Sequence, residues 1–439
     1  MIVMGGIVGS GIFINPYVVA QIVHTPVLIL SAWIAGGAIA LVGAFIYAEL
    51  ADRMPRVGGQ YAYLREAYHP AVGFLYGWVA LLVIHAGGTA AVVVTFAKYF
   101  QLILTGGSEK ITAVTVIVAL TIVNCMGVRA GGTVQSVFMI FRILAISTVV
   151  ICGAWFIWGS PAAPHIAWQP FSDRPASFGL LSAFGAAMVP VLFGYGGWQT
   201  SNYMAGEIRE PRKNLPRALV LGVLGIIVLY LTVNFVYVQA LSPAGLAASS
   251  TPASQVMRLA FGRAGSSLVA ALIAISTVGF LSQALLSYPR LYFAMASDGL
   301  LPAWFARLNP RTLVPTGTII LQGAVTIAVV LLGTYEQILS YVVVMDWLFF
   351  GLTATCIFVF RARERREAPA DAADKNGFRV PGHPWTTGLF VAIAWFISLN
   401  TIYKYPRNAG VALCILFAGF PVFYFFRGRA QRLIGSKRD

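Results

Sequence analysis

The chain has 439 residues, 58% hydrophobic and only 10% charged, with a net charge of +15 and a mean hydropathy of +0.79. A soluble domain carries about 25% charge, and a soluble core of this length cannot hide so much apolar surface, so the composition excludes a water-soluble protein and points to a polytopic helical membrane protein. A membrane barrel is excluded as well, because it would show alternating segments of roughly ten residues where this chain has continuous apolar runs.

In chain order, the apolar runs predict twelve helical spans near 1–23, 27–51, 71–104, 111–127, 132–158, 178–207, 215–241, 265–296, 315–333, 335–360, 385–403 and 408–427. The first run has neither a basic front nor a cleavage site, so no cleavable signal peptide is expected. Residues 361–384, RARERREAPADAADKNGFRVPGHP, form the most polar stretch and read as a flexible loop between spans 10 and 11. Cys125, Cys152, Cys356 and Cys414 all fall inside apolar spans. They read as small buried hydrophobes, with no disulfide framework, metal or cofactor expected.

The positive charge sits in short loops, which marks topology rather than a nucleic-acid partner. One set of loops holds Arg53, Arg56, Arg65, Arg129, Arg209, Arg212, Lys213, Arg217, Arg307 and Arg311, with Arg361 through Arg379 and the tail from Arg427. The other set holds Lys110, Arg174, Arg258, Arg263, Lys404 and Arg407. The bias of about three to one places both termini in the cytoplasm.

Two spans are interrupted by glycine. Span 1 has Gly5-Gly6 and then Gly9-Ser10-Gly11; span 6 has FGYGGWQTSNY, with Gly194, Gly196 and Gly197. They stand five spans apart and so run in opposite directions, the pattern of a transporter built from inverted repeats. A break frees backbone groups that lipid cannot satisfy. The half-helix that starts at a break offers N–H groups and a positive dipole end to an anion; the half-helix that stops there offers carbonyls to a cation. A zwitterionic α-amino acid matches both, with its carboxylate near Ser10 and Gly11 and its ammonium on carbonyls near Ile7, Phe193 and Gly196. Close helix packing is the plainer reading of small residues such as Gly5 and Gly9; it is the one assigned to Gly36-Gly37 and Gly87-Gly88. Phe193 and Trp198, beside the break, read as gate aromatics, with core packing as the alternative.

The stretches IVGSGIF, GAFIYAELADRMPRVGGQYAYLREAYHPAVGFLYGW, FGYGGWQTSNYMAGEIREPRKNLPRAL, ASDGLLPAWFARLNPRTLVP and GFPVFY resemble the amino acid–polyamine–organocation superfamily. Within it the chain is most similar to the L-type amino acid transporter branch, the light subunits of heteromeric transporters and their bacterial homologues. The resemblance implies a LeuT-type fold of five plus five inverted helices: a core of 1–158 and 178–360, a cytoplasmic loop at 361–384, and helices 11 and 12 with a tail at 385–439. It also implies that Ser10 and Gly11 meet the substrate carboxylate, that Ile7, Phe193 and Gly196 meet the amine, and that Phe193 closes over the substrate. Gln199 stands where the family often has Asn, which bears on selectivity. Arg142 stands where many members carry a Lys in place of a sodium ion. The segment TGGSEKIT lacks the Cys that bonds a heavy chain in animal light subunits, so no disulfide-linked heavy chain is expected. The family has a longer segment before span 1, which places the expected start upstream of residue 1.

Charges inside spans are costly and mark candidates for function. Arg142 in span 5 keeps its proton under ordinary conditions, so it either replaces a sodium ion or clamps helices together. His85 in span 3 either senses protons, touches substrate, or is a satisfied core histidine. Asp346 in span 10 either pairs with Arg142 or His85 or takes up a proton. Glu49 and Glu207 sit at cytoplasmic span ends as caps or gate contacts, and Lys98 snorkels. Asn234 and Tyr237 in span 7 resemble family positions that brace the unwound segments; as bare sequence they are interhelical hydrogen-bonders.

The sequence therefore reads as a sodium-independent secondary transporter, an exchanger of neutral L-amino acids across the cytoplasmic membrane by alternating access. A proton-coupled symporter using Asp346 or His85 is the alternative. A membrane enzyme is remote because no HExxH or paired carboxylates occur, a channel because the charges do not line up along a pore, and no phosphate-binding loop occurs for ATP drive.

Overall fold

In a computed structural model of the chain, the described residues are 7–54, 58–104, 106–127, 132–161, 163–164, 166, 168, 171–172, 175–203, 210–312, 314–367 and 377–435. Gly5-Gly6, Arg56, Arg129, Arg174, Glu207, Arg209 and residues 368–376 lie outside them. The described residues form helices and no strand. Among the described residues, nine helices are long and apolar enough to cross a membrane, and two shorter apolar ones join them.

The part of span 1 that follows the glycine-serine-glycine break is the short helix α1 (Gly11–Ile22). Pro16 removes one backbone donor inside it, and the Tyr99 hydroxyl donates to the Phe13 carbonyl at 2.6 Å. Next come α2 (Pro26–Arg53) and the short α3 (Gln60–Ala67). Thr25 caps α2 by accepting from the Leu28 N–H, with Pro26 in the first turn. Span 3 is divided into α4 (Pro70–Val79), a single π-turn at Ala80–Ile84, and α5 (His85–Phe100). The π-turn inserts one residue and so re-aims the side chains that follow, His85 first. Spans 4 and 5 are α6 (Glu109–Cys125) and α7 (Gly132–Gly159).

Span 6 is α8 (Phe178–Tyr195), then a glycine break, then a single turn, α9 (Thr200–Tyr203). Beyond it lie α10 (Pro211–Ala248), α11 (Pro252–Ser287), α12 (Pro289–Ser297), α13 (Thr316–Leu332), α14 (Tyr335–Glu367), α15 (Trp385–Lys404) and α16 (Pro406–Gly435).

Several bounds differ from those expected. Residues 242–264, left between spans 7 and 8, are largely helical: α10 kinks at Ser242 and α11 at Phe261-Gly262, where the backbone leaves helical geometry. Span 8 is interrupted before Pro289, whose ring cannot continue the ladder. The expected loop at 361–384 starts as helix, because α14 runs through Glu367. Its later part is docked: the Phe378 N–H donates to Asp52 at 3.0 Å and the Val380 N–H to Glu49 at 2.7 Å. Lys98 does not merely snorkel; its ammonium lies 5.8 Å from the Tyr17 ring centre and 5.6 Å from that of Tyr335. Of the cysteines only Cys356 is buried, and Cys414 is exposed.

Candidate functional site

The two breaks face one another. Before α1 the chain makes a tight turn, with the Gly9 N–H on the Ile7 carbonyl at 2.7 Å, and Ser10 takes the position before the first helical residue. The start of α1 leaves the Gly11 and Ile12 N–H groups without intrahelical acceptors. Opposite, α8 stops at Tyr195; the Gly196 N–H bonds the Phe193 carbonyl at 3.2 Å, and Gly197 adopts a φ of +97° that suits glycine. The Gln199 side-chain oxygen accepts from the Gly197 N–H at 3.0 Å, stabilising that reversal. The helices touch where side chains are absent: a Cβ on Gly11 would lie 2.7 Å from the Gly194 Cα.

Between the breaks lies a cavity of about 70 Å³. It brings together the predicted residues Ile7, Ser10, Gly11, Phe193, Gly196 and Gln199. His85 from α5 and Asp346 from α14 also line it. The lining also includes residues that sequence reasoning missed, among them Gly88, Phe280 and Tyr288. Gly88 was assigned to packing, but nothing stands within 4 Å of where its Cβ would be. Gly36 and Gly87 do pack closely, on Val191 and Val342.

Two polar atoms in this wall are buried without a hydrogen-bond partner, Ser10 Oγ and Asp346 Oδ1. Asp346 thus makes no pairing with Arg142 or His85 through that oxygen. His85 Nδ1 lies 2.8 Å from the Tyr292 hydroxyl, and its ring stacks on Tyr288 with centroids 3.8 Å apart.

Other predicted residues stand behind the wall. Trp198 is buried between Tyr47, 4.7 Å away, and Phe350, 5.0 Å away. Arg142 is buried; its Nε donates to the Ser276 carbonyl at 3.3 Å, and its guanidinium carbon is 5.5 Å from the Phe280 ring centre. Asn234 donates to the Tyr230 carbonyl on its own helix at 2.8 Å, and the Tyr237 hydroxyl is buried without a partner. The residue that holds the unwound stretch is Tyr230, whose hydroxyl donates to the Ile7 carbonyl at 3.3 Å. A bare tyrosine within an apolar run gave no signal of that role.

Hydrogen bonds tie the helices together on either side of the breaks. On one side Asn15 donates to the Pro190 carbonyl at 2.6 Å and accepts from the Tyr335 hydroxyl at 2.7 Å, tying α1, α8 and α14 together. At the other, Asn202 on α9 donates to the Tyr47 carbonyl and the Tyr63 hydroxyl at 3.2 and 3.3 Å. Tyr61 donates to Asp298 at 2.5 Å, and Arg65 pairs with the same carboxylate. Burial and the neighbouring carboxylate raise the Tyr61 hydroxyl above its ordinary range, so it remains a donor. A volume of about 70 Å³ is far below the ~300–1,000 Å³ of a ligand pocket, so the walls must part to admit a guest.

Residues 1–426 match a family described as amino acid permease. The serine/threonine exchanger SteT of Bacillus subtilis (strain 168) is 29% identical over 437 residues, covering 98% of this chain and 95% of that protein. The large neutral amino acids transporter small subunit 2 of Homo sapiens is 29% identical over 439 residues, covering 96% and 78%. The b(0,+)-type amino acid transporter 1 of Mus musculus is 28% identical over 443 residues, covering 98% and 88%.

Proposed function

The chain belongs to the amino acid permease family, and from that premise we propose that it exchanges small neutral L-amino acids across a membrane, without sodium, by alternating access. It is a multi-pass membrane transporter and not an enzyme. The observation that carries the reading is the cavity between the start of α1 and the end of α8. A helix start and a helix end converge there, with Ser10 Oγ buried and unpaired beside the N–H groups. That pairing of opposite dipole ends suits one carboxylate and one ammonium on the same small molecule. Ser10 and Gly11 take the carboxylate. The carbonyl groups about Ile7, Phe193 and Gly196 take the ammonium, those of Ile7 and Phe193 sharing it with the donors they already accept.

The packing supports two inverted repeats, 1–158 and 178–360. Four contacts between spans have counterparts five spans on. The α1–α10 contact answers to α8–α2, α5–α13 to α11–α6, α5–α14 to α11–α7, and α7–α10 to α14–α2. Rocking one set of helices against the other opens the site to either side in turn. The membrane is the cytoplasmic one, with both termini inside, as the Lys and Arg bias indicates. The relatives' printed names, a serine/threonine exchanger and a transporter of neutral amino acids, favour small neutral substrates and exchange. The chain acts without a disulfide-linked heavy chain, since no cysteine lies in the segment TGGSEKIT.

Sodium independence rests on Arg142, a fixed cation held on α11 behind the cavity wall. Uptake of labelled serine into serine-loaded proteoliposomes is expected to proceed at the same rate when sodium is replaced by choline. A rate that rises with sodium contradicts this part of the reading.

A further inference from the structure

The wall of the cavity formed by α14 carries a carboxylate. Val342 and Asp346 stand four residues apart on one helical face, and both line the cavity. Asp346 Oδ1 is buried there with no hydrogen-bond partner. A buried acceptor left unpaired is a debit for the closed state, and more so if it is charged. The only polar groups of the substrate accounted for by the two helix ends are its carboxylate and its ammonium. Asp346 is on a different element from both breaks and is left over.

We propose that Asp346 is a specificity-determining residue, selecting substrates whose short side chain ends in a hydrogen-bond donor. The inference rests on the reading of the cavity as an amino acid site. The chemistry is an acceptor aimed at a donor, so a hydroxyl or a short ammonium both satisfy it. Asp346 lines the same cavity as Ser10, Gly11, Phe193 and Gly196, so the reach from the substrate's backbone to the carboxylate is short. An aliphatic side chain of equal size leaves Oδ1 buried and unpaired, and is therefore disfavoured even though it fits. A site built to hydrogen-bond a substrate group rejects the analogue that lacks it far better than an apolar pocket rejects an extra hydroxyl.

The test uses full-length protein in proteoliposomes and two isosteric pairs as competitors of labelled serine exchange. Threonine and valine differ by a hydroxyl in place of a methyl; 2,3-diaminopropionate and 2-aminobutyrate differ by an ammonium in place of a methyl. The wild type is expected to prefer the donor-bearing member of at least one pair by about tenfold to a hundredfold, the cost of leaving a buried acceptor unpaired. Asp346→Leu should bring both ratios to near unity by raising the affinity for the aliphatic member as well as lowering it for the other. Asp346→Asn keeps an acceptor but no charge, so it should keep a hydroxyl preference and lose an ammonium preference. It also serves as the second variant if the leucine protein does not fold. Equal affinities within both pairs for the wild type overturn the inference while leaving exchange intact. So does an equal loss for both members of each pair in Asp346→Asn, which would place the carboxylate on the substrate's own ammonium. A wild type that exchanges no amino acid overturns the transport reading itself, and this inference with it.

Discussion

Gly11→Ala is expected to lower amino acid exchange by about a hundredfold, the scale on which a displacement of one ångström in a positioned site acts. The added Cβ would stand 2.7 Å from the Gly194 Cα and 3.1 Å from Asn15 Nδ2. The first of these is backbone and cannot rotate aside. The start of α1 must therefore move away from the end of α8, and the two dipole ends that face the cavity move with them. Asn15 is held on both sides, by Pro190 and by Tyr335, so it cannot yield either. Gly410→Ala on α16 is the control, because nothing lies within 4 Å of its Cβ position. Labelled serine counterflow in proteoliposomes measures both, with gel filtration in detergent reporting the fold. Wild-type counterflow in Gly11→Ala would show that the close approach of the two breaks is not needed.

Glu49→Ala is expected to destabilise the protein by about 3–5 kcal/mol, the cost of stranding the partners of a buried carboxylate. Glu49 is fully buried on α2. Its Oε1 accepts from Arg53 at 2.8 Å and from Arg361 Nε at 2.9 Å. Its Oε2 accepts from Arg361 at 2.7 Å and from the Val380 N–H at 2.7 Å. One carboxylate thus joins α2, α14 and the segment after residue 376. Both arginines are only 14% exposed, so neither charge returns to water unless the helix ends part. Glu364 also pairs with Arg53 but is 49% exposed, and Glu364→Ala should change stability by about 0–1 kcal/mol. Thermal unfolding followed by tryptophan fluorescence in detergent compares them. Equal small shifts for both variants would sink the idea that Glu49 locks this end of the bundle.

The breaks were legible because glycine advertises them. Gly9-Ser10-Gly11 and Gly196-Gly197 interrupt runs that are otherwise continuously apolar, and lipid leaves such an interruption few explanations. The placement of Ile7, Ser10, Gly11, Phe193, Gly196 and Gln199 around one cavity follows from it. The remainder depends on where helices lie, which composition does not encode. Gly88 and Gly87 are alike in sequence, yet Gly87 meets Val342 and Gly88 faces the cavity. His85 is aimed by a π-turn at Ala80–Ile84, and ALLVI carries no mark of one. Tyr230, not Asn234, reaches Ile7, because only a long side chain spans the gap between α10 and the unwound stretch. The polar RARERRE segment looked like loop, but it is rich in helix formers, and Arg361 is anchored on Glu49 from a distance of hundreds of residues. Asp346 was visible as an oddity, but its direction came only from the packing of α14.

Trans-stimulation tests the central claim most directly. Purified protein is placed in sodium-free vesicles, with or without unlabelled serine inside, and the initial uptake of labelled serine is compared. Exchange through one alternating site predicts rapid uptake into loaded vesicles and little into empty ones. Uptake that is equal in both, or that appears in empty vesicles only when an inward proton gradient is imposed, would contradict it.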